Sequence, residues 1–213
     1  MDDAAAADLP RAVRLTPVAP RPSAARAVAA EARLIWESAS WIKWPLALAA
    51  LLAGLLPGNA APAVFLVLLV PVVSEVAARE DLAGTRALVF SQPGVPASAV
   101  LWKAAALALF LLALGAPLVI RTFLASPVRG LACAAGLLAV ALLAVGFGSL
   151  TRGGKLFSGL YVAVWYMALS GSAEADFTGA LSKGAVPLYS LAYLGLGFVL
   201  AGASMARERL QAT

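Results

Sequence analysis

Long runs of apolar residues separated by short polar segments set the pattern of this chain. Because a helix needs about 20 apolar residues to cross the hydrocarbon core of a bilayer, these runs predict six transmembrane helices and an all-α, polytopic membrane fold. The fifth run is short, so both a full crossing and a re-entrant structure that includes the loop to Val186 fit it. The six runs are residues 42–56, 62–76, 98–120, 130–150, 156–170 and 187–205.

The segment before the first run divides into two parts. Residues 1–23 are rich in Ala and Pro with isolated charges, which is typical of a disordered tail, and residues 24–213 then form one membrane domain. Residues 23–43 mix apolar side chains such as Val28 and Ile35 with charged ones such as Glu31 and Arg33. This mixture predicts an amphipathic helix on the inner membrane surface, and a juxtamembrane extension of the first span is the alternative.

Composition agrees with a membrane protein and excludes several kinds of site. The hydrophobic fraction is 62%, the mean hydropathy is +0.90, histidine is absent and Cys133 is the single cysteine. An intrachain disulfide and a Cys/His metal site are therefore excluded. The segment Gly153-Gly154-Lys155 lacks the spacing of a P-loop, so ATP binding by that route is not expected.

Lysine and arginine are distributed unequally between alternate loops. With the N-terminus inside, thirteen of them fall on inside segments, whereas only Arg121, Arg129 and Lys183 fall outside. The positive-inside rule then places both chain ends in the cytoplasm. The same rule accounts for the net charge of +5 without a nucleic-acid partner.

The longest polar stretch between spans, residues 77–96, joins the second and third spans on the predicted inside face. Glu80 and Asp81 precede Gly84 and Thr85, and prolines close the segment before the third span. Gly84 can reverse the chain direction, and Thr85 can cap a helix that follows. The pattern predicts a short helix under the membrane, around residues 79–90, and an ordinary solvated loop remains the alternative.

This loop resembles the cytoplasmic loop of ABC-2 type permeases, the membrane subunits of many ABC exporters. A second patch, residues 155–166 followed by Asp176-Phe177-Thr178-Gly179, resembles a subgroup of that family, and the likeness covers roughly residues 24–210. In that subgroup the similar segment is often half of a longer fused permease, whereas this chain has a single half. The loop positions that carry the resemblance are Glu80, Asp81, Gly84, Thr85, Leu88, Val89, Ser91 and Pro93.

The resemblance implies a permease subunit in the bacterial plasma (inner) membrane. A separate ATPase subunit would hydrolyse ATP, and a second permease half, identical or different, would complete the pathway. The chain itself would be no enzyme and would bind no cofactor. The short loop helix would couple to the ATPase through Arg79, Glu80, Asp81, Gly84, Thr85, Arg86, Phe90 and Pro93.

Three aromatic residues, Phe157, Tyr161 and Trp165, recur every four residues on one face of the fifth run. They fit a translocation path for an apolar or amphipathic substrate, and they equally fit helix packing. Two other functions also stay open for the whole chain. One is a non-transporting scaffold or assembly factor that anchors an ATPase complex, and the other is a small intramembrane enzyme.

Overall fold

The computed structural model describes residues 23–37, 41, 43–56, 60–76, 78–85, 95–181 and 187–211, and this part of the chain is all-helical. The predicted tail, except Ser23, and the turn at residues 57–59 lie outside it. The helices are α1 (Ala24–Glu37), α2 (Lys43–Leu55), α3 (Ala60–Val73), α4 (Arg79–Leu82), α5 (Val95–Ala125), α6 (Pro127–Thr151), α7 (Lys155–Leu169) and α8 (Pro187–Gln211), with a 3₁₀ helix at Ala173–Ala175.

Each predicted span falls on a helix, but the helices differ in length. Three of them, α5, α6 and α8, are long and apolar enough to cross a membrane. The other three, α2, α3 and α7, have 13, 14 and 15 residues. At 1.5 Å per residue they extend roughly 20 Å, which is less than the ~30 Å hydrocarbon core. The predicted runs for these three helices had 15 residues each, although only the fifth was recognised as short for a full crossing.

Small residues bring the three long helices close together. A Cβ at Gly115 of α5 would lie 2.4 Å from Leu137 Cδ1 of α6, and a Cβ at Gly146 of α6 would lie 2.9 Å from Leu200 Cβ of α8. Such positions allow close approach of helix backbones where a larger residue would collide. The central part of the bundle is therefore fixed by glycine at the contact points.

The amphipathic segment forms a separate helix and is not an extension of the first span. Helix α1 ends at Glu37, and α2 begins at Lys43. Ala27, Glu31 and Ile35 are spaced four residues apart, and this face points toward α4 and α5 while Trp36 stays 60% exposed. The rings of Trp36 and Trp44 lie 3.8 Å apart, so an aromatic contact joins α1 to α2.

Contacts between helix ends show that α2, α3, α5, α6, α7 and α8 alternate in direction. At one end Lys43 bonds to Glu75, and Arg207 donates to the carbonyl of Leu150. At the opposite end Arg121 donates to the carbonyl of Leu56. We call the first of these the basic end, because its cations include Lys43, Arg79, Lys103, Arg152, Lys155 and Arg207.

Candidate functional site at the basic end of the bundle

Helix α4 is the centre of the candidate site and covers the start of the predicted loop helix. It has four residues, Arg79–Leu82, and the chain then turns at Gly84, whose φ is +66°. A positive φ favours glycine because a Cβ would crowd the backbone there. Thr85 follows, exposed to solvent, with its amide bonded to the Glu80 carbonyl at 3.0 Å. The remainder of the predicted helix, with Arg86 and Phe90, and the proline that follows it, Pro93, lie outside the described residues.

The Glu80 side chain points into the protein and not toward solvent. Glu80 is 7% exposed, and its carboxylate accepts hydrogen bonds from Lys103 of α5 and from Arg79 at 3.1 Å. Lys103 is itself 4% exposed. Two buried opposite charges in contact compensate each other, whereas either one alone would be costly to bury. The pair therefore attaches α4 to the start of the longest helix.

Arg79 extends this ion-pair network to the N-terminal helix. Its Nη2 donates to Glu31 of α1 at 2.8 Å, and the two side chains are 18% and 15% exposed. Three helices that are far apart in the sequence, α1, α4 and α5, are thus joined by consecutive ion pairs. We call the chain Glu31–Arg79–Glu80–Lys103 the inner ion network.

The inner ion network also sets the protonation state of Glu80. Burial pushes the pKa of this carboxyl upward, but the charge of Lys103, its hydrogen bond and the nearby Arg79 together outweigh burial and hold the pKa below its ordinary value. Glu80 is therefore ionised at neutral pH.

The exposed part of this region is the tip of α4. Leu82 is 65% exposed, and Ala83, Gly84 and Thr85 are also exposed. An open groove of about 740 Å³ runs from Leu82 past Glu75 to the turn between α6 and α7. Residues of that turn on the groove wall are Thr151, Arg152, Gly153, Gly154 and Lys155.

Close backbone contact fixes the turn between α6 and α7 against the end of α3. A Cβ at Gly154 would lie 2.2 Å from the carbonyl oxygen of Ser74. Arg152 ends α6 in the left-handed conformation, with φ of 53°, and its guanidinium donates to Gln211 of α8 at 3.5 Å. The groove is therefore built from the ends of α3, α6 and α7 around the tip of α4.

Two members of the inner ion network were not recognised as site residues from the sequence. Lys103 is a single charge within an apolar run, which is a signal for a buried partner. Glu31 lies on the same helical face as Ala27 and Ile35, so its carboxylate turns inward. Sequence reasoning treated both as ordinary charges at the membrane surface, because their partner Arg79–Glu80 is distant in the chain.

The three aromatic residues of α7 take part in packing, and two of them line a cavity. Tyr161 donates to the carbonyl of Leu66 at 2.9 Å, and Trp165 donates to the carbonyl of Ala63 at 3.0 Å, so both attach α7 to α3. Phe157 and Tyr161 also line an apolar cavity of about 160 Å³ between α6, α7 and α8. The positions of Phe157 and Tyr161 therefore fit both alternatives, helix packing and the wall of a cavity.

The loop after α7, which the sequence analysis offered as part of a re-entrant structure, contains polar residues whose burial was not predicted. Asp176 and Thr178 are fully buried, and the Asp176 carboxylate accepts from the Thr178 hydroxyl at 3.0 Å and from the Leu181 amide at 2.9 Å. The Phe177 carbonyl lies against Gly136, nine residues into α6, which is roughly 14 Å along that helix. Irregular backbone at such depth is tolerated where protein surrounds it. The spacing of Asp and Thr in Asp-Phe-Thr-Gly was the available signal.

Comparisons with family models, with characterised proteins and with solved structures find no match to this chain. Among the described residues no group of three or more His, Cys, Asp or Glu side chains is arranged to hold a metal ion. The assignment of function therefore depends on the inner ion network and on the groove beside it.

Proposed function

We propose that this chain is the membrane-spanning permease subunit of an ABC exporter in the bacterial plasma membrane, driven by a separate ATPase subunit. The observation that carries the proposal is the buried contact of Glu80 with Lys103. It ties the four-residue helix α4, whose tip is exposed, to the 31-residue helix α5. Displacement of the tip by a soluble partner would then move a membrane-spanning helix.

The exposed Leu82 is the contact expected for the ATPase. An apolar side chain at the basic end, 65% exposed and beside an open groove, suits insertion into a cleft of a soluble partner. In this arrangement Arg79 and Glu80 do not touch the ATPase. They transmit its movement to α1 and α5 through the inner ion network, because both are buried in ion pairs.

The proposal also includes the topology: the chain crosses the membrane six times, and both of its ends lie in the cytoplasm. Support comes from the alternating direction of the six helices and from the concentration of cations at the basic end, which the positive-inside rule assigns to the cytoplasm. The short α7 gains depth from the buried loop that follows it. Exposed apolar residues of α8, among them Leu188, Leu191, Phe198 and Val199, suit lipid or a second permease half.

Co-purification in mild detergent tests the proposal. The chain is expressed together with the products of the neighbouring genes, and a stoichiometric complex with an ATPase subunit is expected. Leu82→Asp should abolish the complex, whereas Leu210→Asp, also strongly exposed at the end of α8, should leave it intact. Failure of any ATPase to bind the unaltered chain would remove the permease assignment.

Transport by the reconstituted complex separates a permease from a scaffold. With ATP present, the permease should move an apolar or amphipathic substrate across the vesicle membrane, and Leu82→Asp should stop that movement. If the ATPase binds through Leu82 but substrate is never moved in a way that requires this chain, the chain is a scaffold and not a permease. Turnover of a substrate by the purified chain alone would assign an intramembrane enzyme.

A further inference from the structure

The open groove beside α4 carries two exposed cations that no described carboxylate neutralises. Arg152 and Lys155, at the junction of α6 and α7, line the groove and are exposed to solvent. Among the described residues neither of them forms an ion pair, and the guanidinium of Arg152 donates to the neutral Gln211. Glu75, also on the groove wall, is already paired with Lys43 at 2.8 Å. The groove therefore favours an anion.

The two cations lie at the end of a helix that is long and apolar enough to cross a membrane. Helix α6 ends at Thr151, directly before Arg152. Basic groups that follow a membrane-crossing helix so closely lie among lipid headgroups, and basic pockets between such helix ends bind anionic headgroups. The groove also has an apolar side, since its wall includes Leu82 and Leu156, which are 65% and 47% exposed. This mixed wall fits a phosphate attached to hydrocarbon better than a free anion.

Helix α7 leads from this groove to the apolar cavity of about 160 Å³ between α6, α7 and α8. Leu156 lines the groove, and Leu160, one helical turn further on, lines the cavity and is 44% exposed. Residues four apart share one face of a helix, so these two leucines form an apolar strip between the groove and the cavity. An apolar cavity of this size offers no partners to water and accepts hydrocarbon. Its wall also includes Val140, Phe147, Phe157, Val164, Tyr193 and Leu196.

We infer that the groove and the cavity together bind one anionic glycerophospholipid of the bilayer. Its phosphate lies at Arg152 and Lys155, and one acyl chain follows Leu156 and Leu160 into the cavity. The cations select the negative charge and the cavity selects hydrocarbon, and a phospholipid supplies both in one molecule. An acidic peptide segment would satisfy the cations but leave the cavity unfilled. The inference does not depend on an export function.

Photolabelling of the purified chain in an uncharged detergent tests the inference. Two probes carry a diazirine at the middle of the same acyl chain, one on phosphatidylglycerol, which has a net negative charge, and one on phosphatidylcholine, which has none. The phosphatidylglycerol probe should label peptides that contain Val140 or Leu196 roughly tenfold more than the phosphatidylcholine probe does, because two cations hold its headgroup. Equal labelling by the two probes would overturn the assignment.

A double variant tests the headgroup site. Arg152→Gln/Lys155→Gln should reduce labelling by phosphatidylglycerol to the level of phosphatidylcholine. The matched control, Arg26→Gln/Arg209→Gln, removes two exposed cations from α1 and α8 outside the groove and should leave the labelling unchanged. Equal losses in the two double variants would indicate general attraction to a basic protein and overturn the site.

A second substitution tests the acyl-chain site. Leu160→Trp, at an exposed position on the cavity wall, should reduce labelling of the Val140 and Leu196 peptides several-fold. Val162→Trp, on the same helix and 41% exposed but outside the cavity wall, is the matched control and should change nothing. Undiminished labelling in Leu160→Trp would refute the cavity as the acyl-chain site. Where Leu160→Trp does not fold, the headgroup variants decide the inference.

Other occupants are distinguished by adding the ATPase partner. A resident phospholipid should label the same peptides in the complex, before and during ATP hydrolysis. Loss of labelling when the complex forms would assign the groove to an acidic segment of the ATPase, and loss only during hydrolysis would assign it to a transported amphiphile. Either result would overturn the lipid site. Because labelling of the isolated chain needs no ATPase, failure of the permease proposal leaves the other tests intact.

Discussion

Lys103 donates a hydrogen bond to the carboxylate of Glu80, and both side chains are buried although they lie 23 residues apart on different helices. The contact makes the inward-pointing face of α4 part of the helical bundle and leaves the Leu82 side chain exposed. Glu80, which in the sequence looks like a charge for docking a partner, therefore forms a buried ion pair within the chain. The consequences can be measured as changes in thermal stability.

Removing one partner of this pair should destabilise the protein strongly. Glu80→Ala leaves Lys103 buried without its principal counter-charge, and breaking a buried pair in this way typically costs about 3–5 kcal/mol. The double variant Glu80→Gln/Lys103→Met should recover much of that loss, because neither buried charge remains. Thermal unfolding in detergent measures both. Glu37→Ala, in an exposed pair with Arg33, should change stability little.

Acid should lower the thermal stability of the protein, because it protonates the Glu80 carboxylate. The folded-state pKa of Glu80 lies below the ordinary value of 4.5, so its stabilising effect is complete above about that pH and is lost as the pH falls through the folded value. The midpoint of thermal unfolding should fall in this acid range more steeply for the unaltered chain than for Glu80→Gln. Parallel pH profiles for the two proteins would contradict the assignment.

Substitution of glycine by alanine should be tolerated at Gly195 and should destabilise the protein at Gly136. The Cβ of Gly136→Ala would lie 2.3 Å from the carbonyl oxygen of Phe177, so the buried loop must shift, at a typical cost of about 1–3 kcal/mol. The Cβ of Gly195→Ala on α8 meets nothing within 4 Å, and alanine favours the helix. Unfolding midpoints should fall for the first variant and stay equal or rise for the second.

The attachment of α7 to α3 should be sensitive to one hydroxyl. Tyr161→Phe removes the hydrogen bond to the Leu66 carbonyl from a buried position, and a loss of about 1 kcal/mol is expected. Tyr166→Phe, on the same helix but 66% exposed, is the matched control and should be neutral. Equal effects of the two substitutions on thermal unfolding would show that the bond contributes no stability.

Much of the helical framework is predictable from local sequence. Apolar runs fix where helices form, because backbone groups in an apolar environment must bond within the helix, and all six runs fall on helices. The face Ala27–Glu31–Ile35 follows from the helical repeat. The turn at Gly84 follows from the freedom of glycine at positive φ. These features depend on neighbours within a few residues.

The partners of charged and polar groups required the tertiary structure. Whether Glu80 points to solvent or to Lys103 is decided by which helix packs beside α4, and no local pattern contains that information. The same holds for the carbonyl of Phe177 against Gly136, where chain segments far apart in sequence meet. Sequence alone thus predicted a helical protein with membrane-spanning segments and a basic end, and three helices of the described chain are long and apolar enough to cross a membrane. Tertiary structure decided that the loop's acidic residue is an internal ion pair, because burial and pairing depend on long-range packing.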